Sequence, residues 1–374
     1  MSRNLLPVSA IAMLMGGTAV ADVPNVAVDI TPIHSLVARV MDGVGEPALI
    51  VQSGASPHEY SLRPSEATAL QEADLIFWIG EDLTPWMEDA VKTLATDASV
   101  TTLLEAEGIT LLDFREGALF EAHDHGDHDG HDDHDDHGHE EAKAKDHDHD
   151  HDDHDHEEAK ADDHDHDHDH DDHAHEDHDD HDHEEAKAKD HDDHAHEDHA
   201  GHDHGEHDPH AWLSPQNAST WLNVIAAQLS AADPDNAGAY FANAAAGRAE
   251  METLSAEVNT ILDPVRGGNF IVFHDAYQYF ETDFDFPASG AISIGDASDP
   301  SPARIAEIQE RIREEGIDCV LAEPQFNEGL ITTVLDGTEA NTGVIDPLGA
   351  ELEPGPALYP QLIRNMAKTL AECL

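Results

Sequence analysis

The chain has 374 residues, 82 acidic against 17 basic, and a formal net charge of −65. That excess repels nucleic acid and anionic lipid and favours cations, so a nucleic-acid partner is not expected; no segment beyond the first 21 residues has enough continuous apolar residues to span a bilayer, so stable membrane insertion is not expected either. The length allows two domains with additions.

In chain order, Arg3 supplies an early positive charge, an apolar stretch follows from Leu5 to Val20, and Ala19-Val20-Ala21 offers a small-x-small cleavage site. Residues 1–21 therefore read as a secretory signal peptide, too short for a membrane anchor. No Cys follows the apolar stretch, so lipid anchoring is not expected, and the mature chain is expected to begin near Asp22. Val26–Ile30 and Ala48–Val51 read as strands, Pro64 to Ala73 as a helix with Ser65 as its N-cap, and Asp74 to Gly80 as a buried strand. This alternation implies a parallel α/β sheet over residues 22–120.

Residues 121–208 hold 40 Asp or Glu and five Lys and almost no apolar residue larger than Ala. Such a stretch cannot bury enough surface to offset its chain entropy and is expected to be disordered. The hexapeptide His139-Glu140-Glu141-Ala142-Lys143-Ala144 recurs at 156–161 and 183–188. Its uneven spacing argues for duplication inside a flexible tract and against a solenoid. Beyond it, Ser214-Pro215 opens a helix, and residues 209–232 rejoin the first lobe. A long helical run over 233–263, with Met251, Leu254, Val258 and Ile261 in one apolar stripe, is expected to link two lobes. Residues 264–374 repeat the α/β grammar: strands at Phe270–Phe273, Cys319–Ala322 and Gly343–Ile345, and helices from Ser301-Pro302 to Glu315 and from Pro360 to Ala371. The fold class is thus α/β, two parallel-sheet lobes joined by a long rigid helix, with a His/Asp-rich loop inserted in the N-terminal lobe.

The two cysteines, Cys319 and Cys373, read as a disulfide in an exported chain, the alternative being two buried thiols. No CxxC spacing exists to support a cysteine metal site.

Of 32 histidines, 28 lie between His123 and His207; only His34, His58, His210 and His274 lie outside. The tract reads as a many-site, weak cation sponge, represented by His123, His125, His147, His149, His164, His166, His168, His170, His202 and His204. A solvated acidic linker is the plainer alternative; as a tethered reservoir, the tract would raise the local metal concentration. His58, His210 and His274 each sit at a strand end or just before a helix, where α/β folds bind ligands. One such histidine would be an ordinary hydrogen-bonded residue; three together in an acidic, exported chain point to a metal. His34 follows the first strand and reads as a structural residue bordering the cleft, with direct ligation as the alternative.

The segments Gly54-Ala55-Ser56-Pro57-His58-Glu59-Tyr60-Ser61-Leu62-Arg63-Pro64-Ser65, His210-Ala211-Trp212-Leu213-Ser214-Pro215, Phe273-His274-Asp275-Ala276-Tyr277-Gln278-Tyr279-Phe280, Ala322-Glu323-Pro324-Gln325-Phe326 and Asp346-Pro347-Leu348-Gly349 resemble the ZnuA-like periplasmic zinc-binding proteins of ABC transporters, in the family's order. The resemblance implies that His58, His210 and His274 ligate Zn(II), that Cys319 and Cys373 are bridged, and that a monomeric receptor hands its ion to an ABC transporter membrane permease from the periplasm. The fourth ligand stays open between Asp346, Glu59 and water. Three imidazoles suit tetrahedral zinc better than manganese, which prefers oxygen. A manganese or iron receptor of the same architecture and a periplasmic zinc buffer are the alternatives. An enzyme is not expected: a zinc hydrolase would share the three-His centre, but no HExxH helix or nucleophile elbow is present.

Overall fold

The structure, a computed structural model, describes residues 23–115, 120, 207–293, 300–326 and 328–374. The expected signal peptide at 1–21 and the histidines from His123 to His204 lie outside the described residues, as does the expectation that the tract is disordered.

Two four-stranded sheets form the frame, and both are entirely parallel. The first contains β1 (Val26–Val28), β2 (Ala48–Leu49), β3 (Leu75–Trp78) and β4 (Ser99–Thr102), in the order β2-β1-β3-β4. The second contains β5 (Phe270–His274), β6 (Gly290–Ser293), β7 (Cys319–Ala322) and β8 (Asn341–Val344), in the order β6-β5-β7-β8. The crossovers are α1 (Thr31–Val40), α2 (Pro64–Glu72) and α3 (Pro85–Leu94) in the first lobe, and α6 (Gln278–Phe284), α7 (Pro302–Glu315) and α8 (Glu328–Leu335) in the second. Between the lobes run α4 (Pro215–Ala232) and α5 (Ala237–Leu262), and α9 (Leu358–Cys373) closes the chain.

Alternation along the central strands explains the packing. Val26 and Val28, Leu75 and Phe77, Phe270 and Val272, and Cys319 and Leu321 point into one core shared by both lobes. Their neighbours Ala27, Ile76 and Trp78 enter an outer core of the first lobe, and Ile271, Phe273, Val320 and Ala322 enter one of the second. Strands buried on both faces read as unbroken apolar runs, as parallel sheets require. The shared core is bound by α5, whose 26 residues span about 39 Å at helical rise. The expected stripe faces inward through Met251, Leu254 and Val258, with Ile261 half-buried and Leu262 buried beside it. At Gly247 a Cβ would come within 2.9 Å of a Leu222 methyl, so glycine there sets the close approach of α5 to α4.

Several ends fall where local chemistry puts them. Ser214 caps α4 by accepting the Asn217 N–H, and Ser301 caps α7 by accepting that of Arg304. The expected Ser65 cap is displaced: Arg63 is the N-cap of α2, Pro64 takes the first turn, and Glu66 accepts the Arg63 N–H at 2.7 Å. Helix α1 occupies residues that carried only a strand-end reading, and all of it except Arg39 is buried.

Cys319 on β7 and Cys373 at the end of α9 are disulfide-bonded, closing a separation of 54 residues. Chain-entropy arguments give a contribution of about 4 kcal/mol for a loop of that size. The double variant Cys319→Ser, Cys373→Ser is expected to lose that amount in urea-unfolding measurements; an unchanged midpoint would show that α9 holds β7 by packing alone.

Asp29, at the carboxyl end of β1, is fully buried and accepts the N–H groups of Ile30 and Ile79, each at 2.7 Å. Burial pushes its carboxyl up from 3.8 to about 7, against the pull of those N–H groups. The folded state therefore holds the proton more tightly than the unfolded chain. The stability this group contributes is complete below about pH 4 and is lost as pH rises through about 7. Asp29→Asn is expected to flatten the stability–pH curve across that window, whatever its absolute stability; an unaltered slope would contradict the assignment.

Candidate metal centre

The second sheet reverses its strand order between β5 and β7, and open α/β sheets bind ligands outside such a point. His274 is the last residue of β5, and Glu323 directly follows β7. The His274 Nδ1 lies 2.6 Å from a Glu323 carboxylate oxygen, and both residues are buried. Gln325 donates to the other Glu323 oxygen at 2.8 Å, so the carboxylate is oriented from both sides. Phe326 stacks on Phe273 with ring centroids 4.1 Å apart and meets the His274 ring edge-on, walling that side. Tyr277 also packs against His274; burial first, and then Glu323, holds its phenol well above the usual range.

His210 comes from the chain entering α4. Its Nδ1 lies 2.7 Å from Asp208 Oδ1, which also accepts the His210 N–H at 3.0 Å. Burial pushes the Asp208 carboxyl up to about 7, opposed by the His210 N–H and by the charges of Arg115 and His274. This arm is fastened on the opposite lobe: Tyr279 donates to the Asp208 carbonyl, Trp212 donates to the Pro347 carbonyl, and Tyr359 donates to the Trp212 carbonyl. Ser214 donates to Asp283 at 2.7 Å.

His58 lies on the loop between β2 and α2 and is half-buried. Trp86 donates to the Pro57 carbonyl at 2.8 Å, and Tyr60 packs on Trp86 while donating to the buried Glu66. These contacts place the loop over the other two rings. The His58 and His210 centroids are 5.5 Å apart and those of His210 and His274 are 5.3 Å apart. One ligand nitrogen from each of the three lies within 4.8 Å of the others. With Nδ1 engaged by a carboxylate, His210 and His274 each offer Nε2 to an ion. A buried carboxylate on the far nitrogen fixes tautomer and ring direction and raises ligand basicity.

The other expected site residues stand apart. Asp346 gives both carboxylate oxygens to the turn after β8, accepting the N–H groups of Leu348, Gly349 and Ala350. Glu59 is exposed. Neither joins the three-histidine group. His34 lies in α1, its Nε2 3.0 Å from the Pro47 carbonyl, and burial lowers its pKa; it too is outside the group.

Residues 26–373 match the family model for the periplasmic component A of zinc-uptake complexes. The chain belongs to that family. The High-affinity zinc uptake system protein ZnuA of Brucella abortus (strain 2308) is 45% identical over 364 residues, covering 97% of this chain and 96% of that protein. The protein of the same description from Paracoccus denitrificans is 41% identical over 355 residues, covering 95% and 93%. A crystal structure of ZnuA superposes with a TM-score of 0.63 over 94% of this chain and 99% of that one, at 20% identity, a likeness of fold.

Neutralising either orienting carboxylate tests the arrangement. Glu323→Gln and Asp208→Asn are each expected to weaken metal affinity about 10- to 100-fold, read by competition with a chromogenic chelator. Parental affinity in both variants would mean that the imidazoles need no orienting partner.

Proposed function

We propose that this chain is a periplasmic receptor that captures Zn(II) with His58, His210 and His274 and delivers it to the permease of an ABC importer. The observation that carries the reading is the convergence of three imidazoles from three distant segments, two with carboxylates on their far nitrogens. The family's role in periplasmic zinc uptake agrees with it. Nitrogen donors suit zinc, whose preferred site is tetrahedral, over manganese. Three histidines leave a fourth position for solvent, so the ion stays exchangeable, as cargo must be. Asp346 serves here as the cap of its own turn, and Glu59 as a surface residue of the His58 loop.

The leader at 1–21 directs export. Among the described residues no helix is long and apolar enough to cross a membrane. The role is binding and transfer: zinc–nitrogen coordination bonds form on capture and break on delivery, and no covalent bond changes. The histidines of the acidic tract, from His123 to His204, act as weak auxiliary sites that collect ions and pass them to the three-His site. They add capacity, while the three-His site sets the affinity.

Deleting 121–206 is expected to leave one tight zinc ion per chain in calorimetric titration. His58→Ala, His210→Ala or His274→Ala in that background should abolish it, whereas Asp346→Asn and Glu59→Gln should retain it. Imidazole must be neutral to bind, so capture should fall away below its reference pKa of about 6.5. A deletion protein that binds no ion tightly, or prefers Mn(II) in direct competition, would refute this reading.

A further inference from the structure

One charged cluster beside the site has no part in holding the rings directly. Arg115 is mostly buried, and its guanidinium spans two carboxylates. Nε lies 3.0 Å from each oxygen of Asp275, and a terminal nitrogen also pairs with Asp275. The two terminal nitrogens reach Glu281 at 2.8 and 3.0 Å. The Phe120 ring lies 3.5 Å from the guanidinium carbon. Glu281 additionally accepts the Ala288 N–H.

The two ends of this ion cluster lead to different ligands. Asp275 adjoins His274 in the turn that ends β5. Arg115 lies on a segment tied to the His210 arm. Asp208, the partner of the His210 ring, donates its N–H to the Leu112 carbonyl at 2.8 Å, and Asp113 pairs with His207 in an antiparallel bridge. Tyr279 of α6 joins the two strands by accepting the Leu112 N–H and donating to the Asp208 carbonyl. Upstream, Asn217 exchanges hydrogen bonds with both backbone groups of Thr110, which anchors the segment on α4.

We propose that Arg115 is a positioning residue of the metal centre, bracing the arm that carries His210 against the turn that carries His274. Burying one cation with two carboxylates is a poor way to stabilise a fold, because desolvation offsets most of the attraction; setting the register between two pieces of chain is the better-attested use of such a cluster. The planar fork suits that task, since one guanidinium fixes the direction of both carboxylates, and a lysine ammonium cannot. The proposal rests on the three-imidazole reading of the site.

The test uses the full-length mature protein, half an equivalent of metal so that only the tightest site fills, and Arg115→Met and Arg115→Lys variants. Zinc release is followed after a chelator chase, Co(II) bound in place of zinc reports ligand geometry through its visible bands, and the thermal midpoint of the metal-free protein reports folding. Arg115→Met is expected to release zinc about tenfold faster with displaced and weakened Co(II) bands. Arg115→Lys is expected to fall between it and the parent. A role in folding alone would lower the thermal midpoint while leaving the Co(II) spectrum of the folded fraction as in the parent. Should Arg115→Met fail to fold, Arg115→Lys decides, because it keeps the charge and loses the fork. Parental release and spectrum in a folded variant would overturn the brace. A parent with no tetrahedral Co(II) spectrum would instead sink the three-imidazole reading, and the brace with it.

Discussion

A zinc ion taken from dilute solution needs imidazoles already turned toward it, and here the carboxylates on the far nitrogens of His210 and His274 supply that orientation. Each buried ring nitrogen is held at 2.6 to 2.7 Å by a buried carboxylate. In a low dielectric such a bond is costly to leave half-made, so ring orientation is fixed before any ion arrives.

The fold serves that pair. Parallel sheets present their carboxyl ends to one crevice, and the reversal of strand order between β5 and β7 separates two chain ends just where His274 and Glu323 stand. The His210 arm precedes α4, which packs on the first lobe, yet its hydrogen bonds run to Tyr279, Pro347, Tyr359 and Asp283 of the second. The site is therefore part of the joint between the lobes. A single core running from β1 to α9 explains how the joint is stiff enough to hold three side chains from distant segments.

Much of this was legible in the sequence, for identifiable reasons. Ser-Pro pairs marked the starts of α4 and α7, and the four-residue apolar run Cys319–Ala322 is strand β7 to the residue. The three histidines that converge in the fold stood out because they lie at element boundaries outside the tract. Helix α1 was missed although Thr31, Ser35 and Arg39 recur at four-residue spacing, because it runs on directly from an apolar strand. Asp208 was hidden among the acids of the tract, although its place two residues before His210 allows a side-chain contact. Glu323 followed a visible strand, but its partner is 49 residues away, and pairing across adjacent strands needs the sheet order. Arg115, a lone cation at the edge of the acidic stretch, carried no local signal at all. Asp346 drew attention as a carboxylate after a strand, a position equally suited to capping the turn that follows, which is how it is used.

Three nitrogens, and no protein carboxylate, are expected to surround one ion. X-ray absorption at the zinc edge, recorded on protein lacking residues 121–206 with one equivalent of zinc, measures that directly. Three imidazole nitrogen scatterers at about 2.0–2.1 Å are expected, with a single solvent oxygen completing the shell. A shell with two or more carboxylate oxygens, or with fewer than three imidazoles, would contradict it.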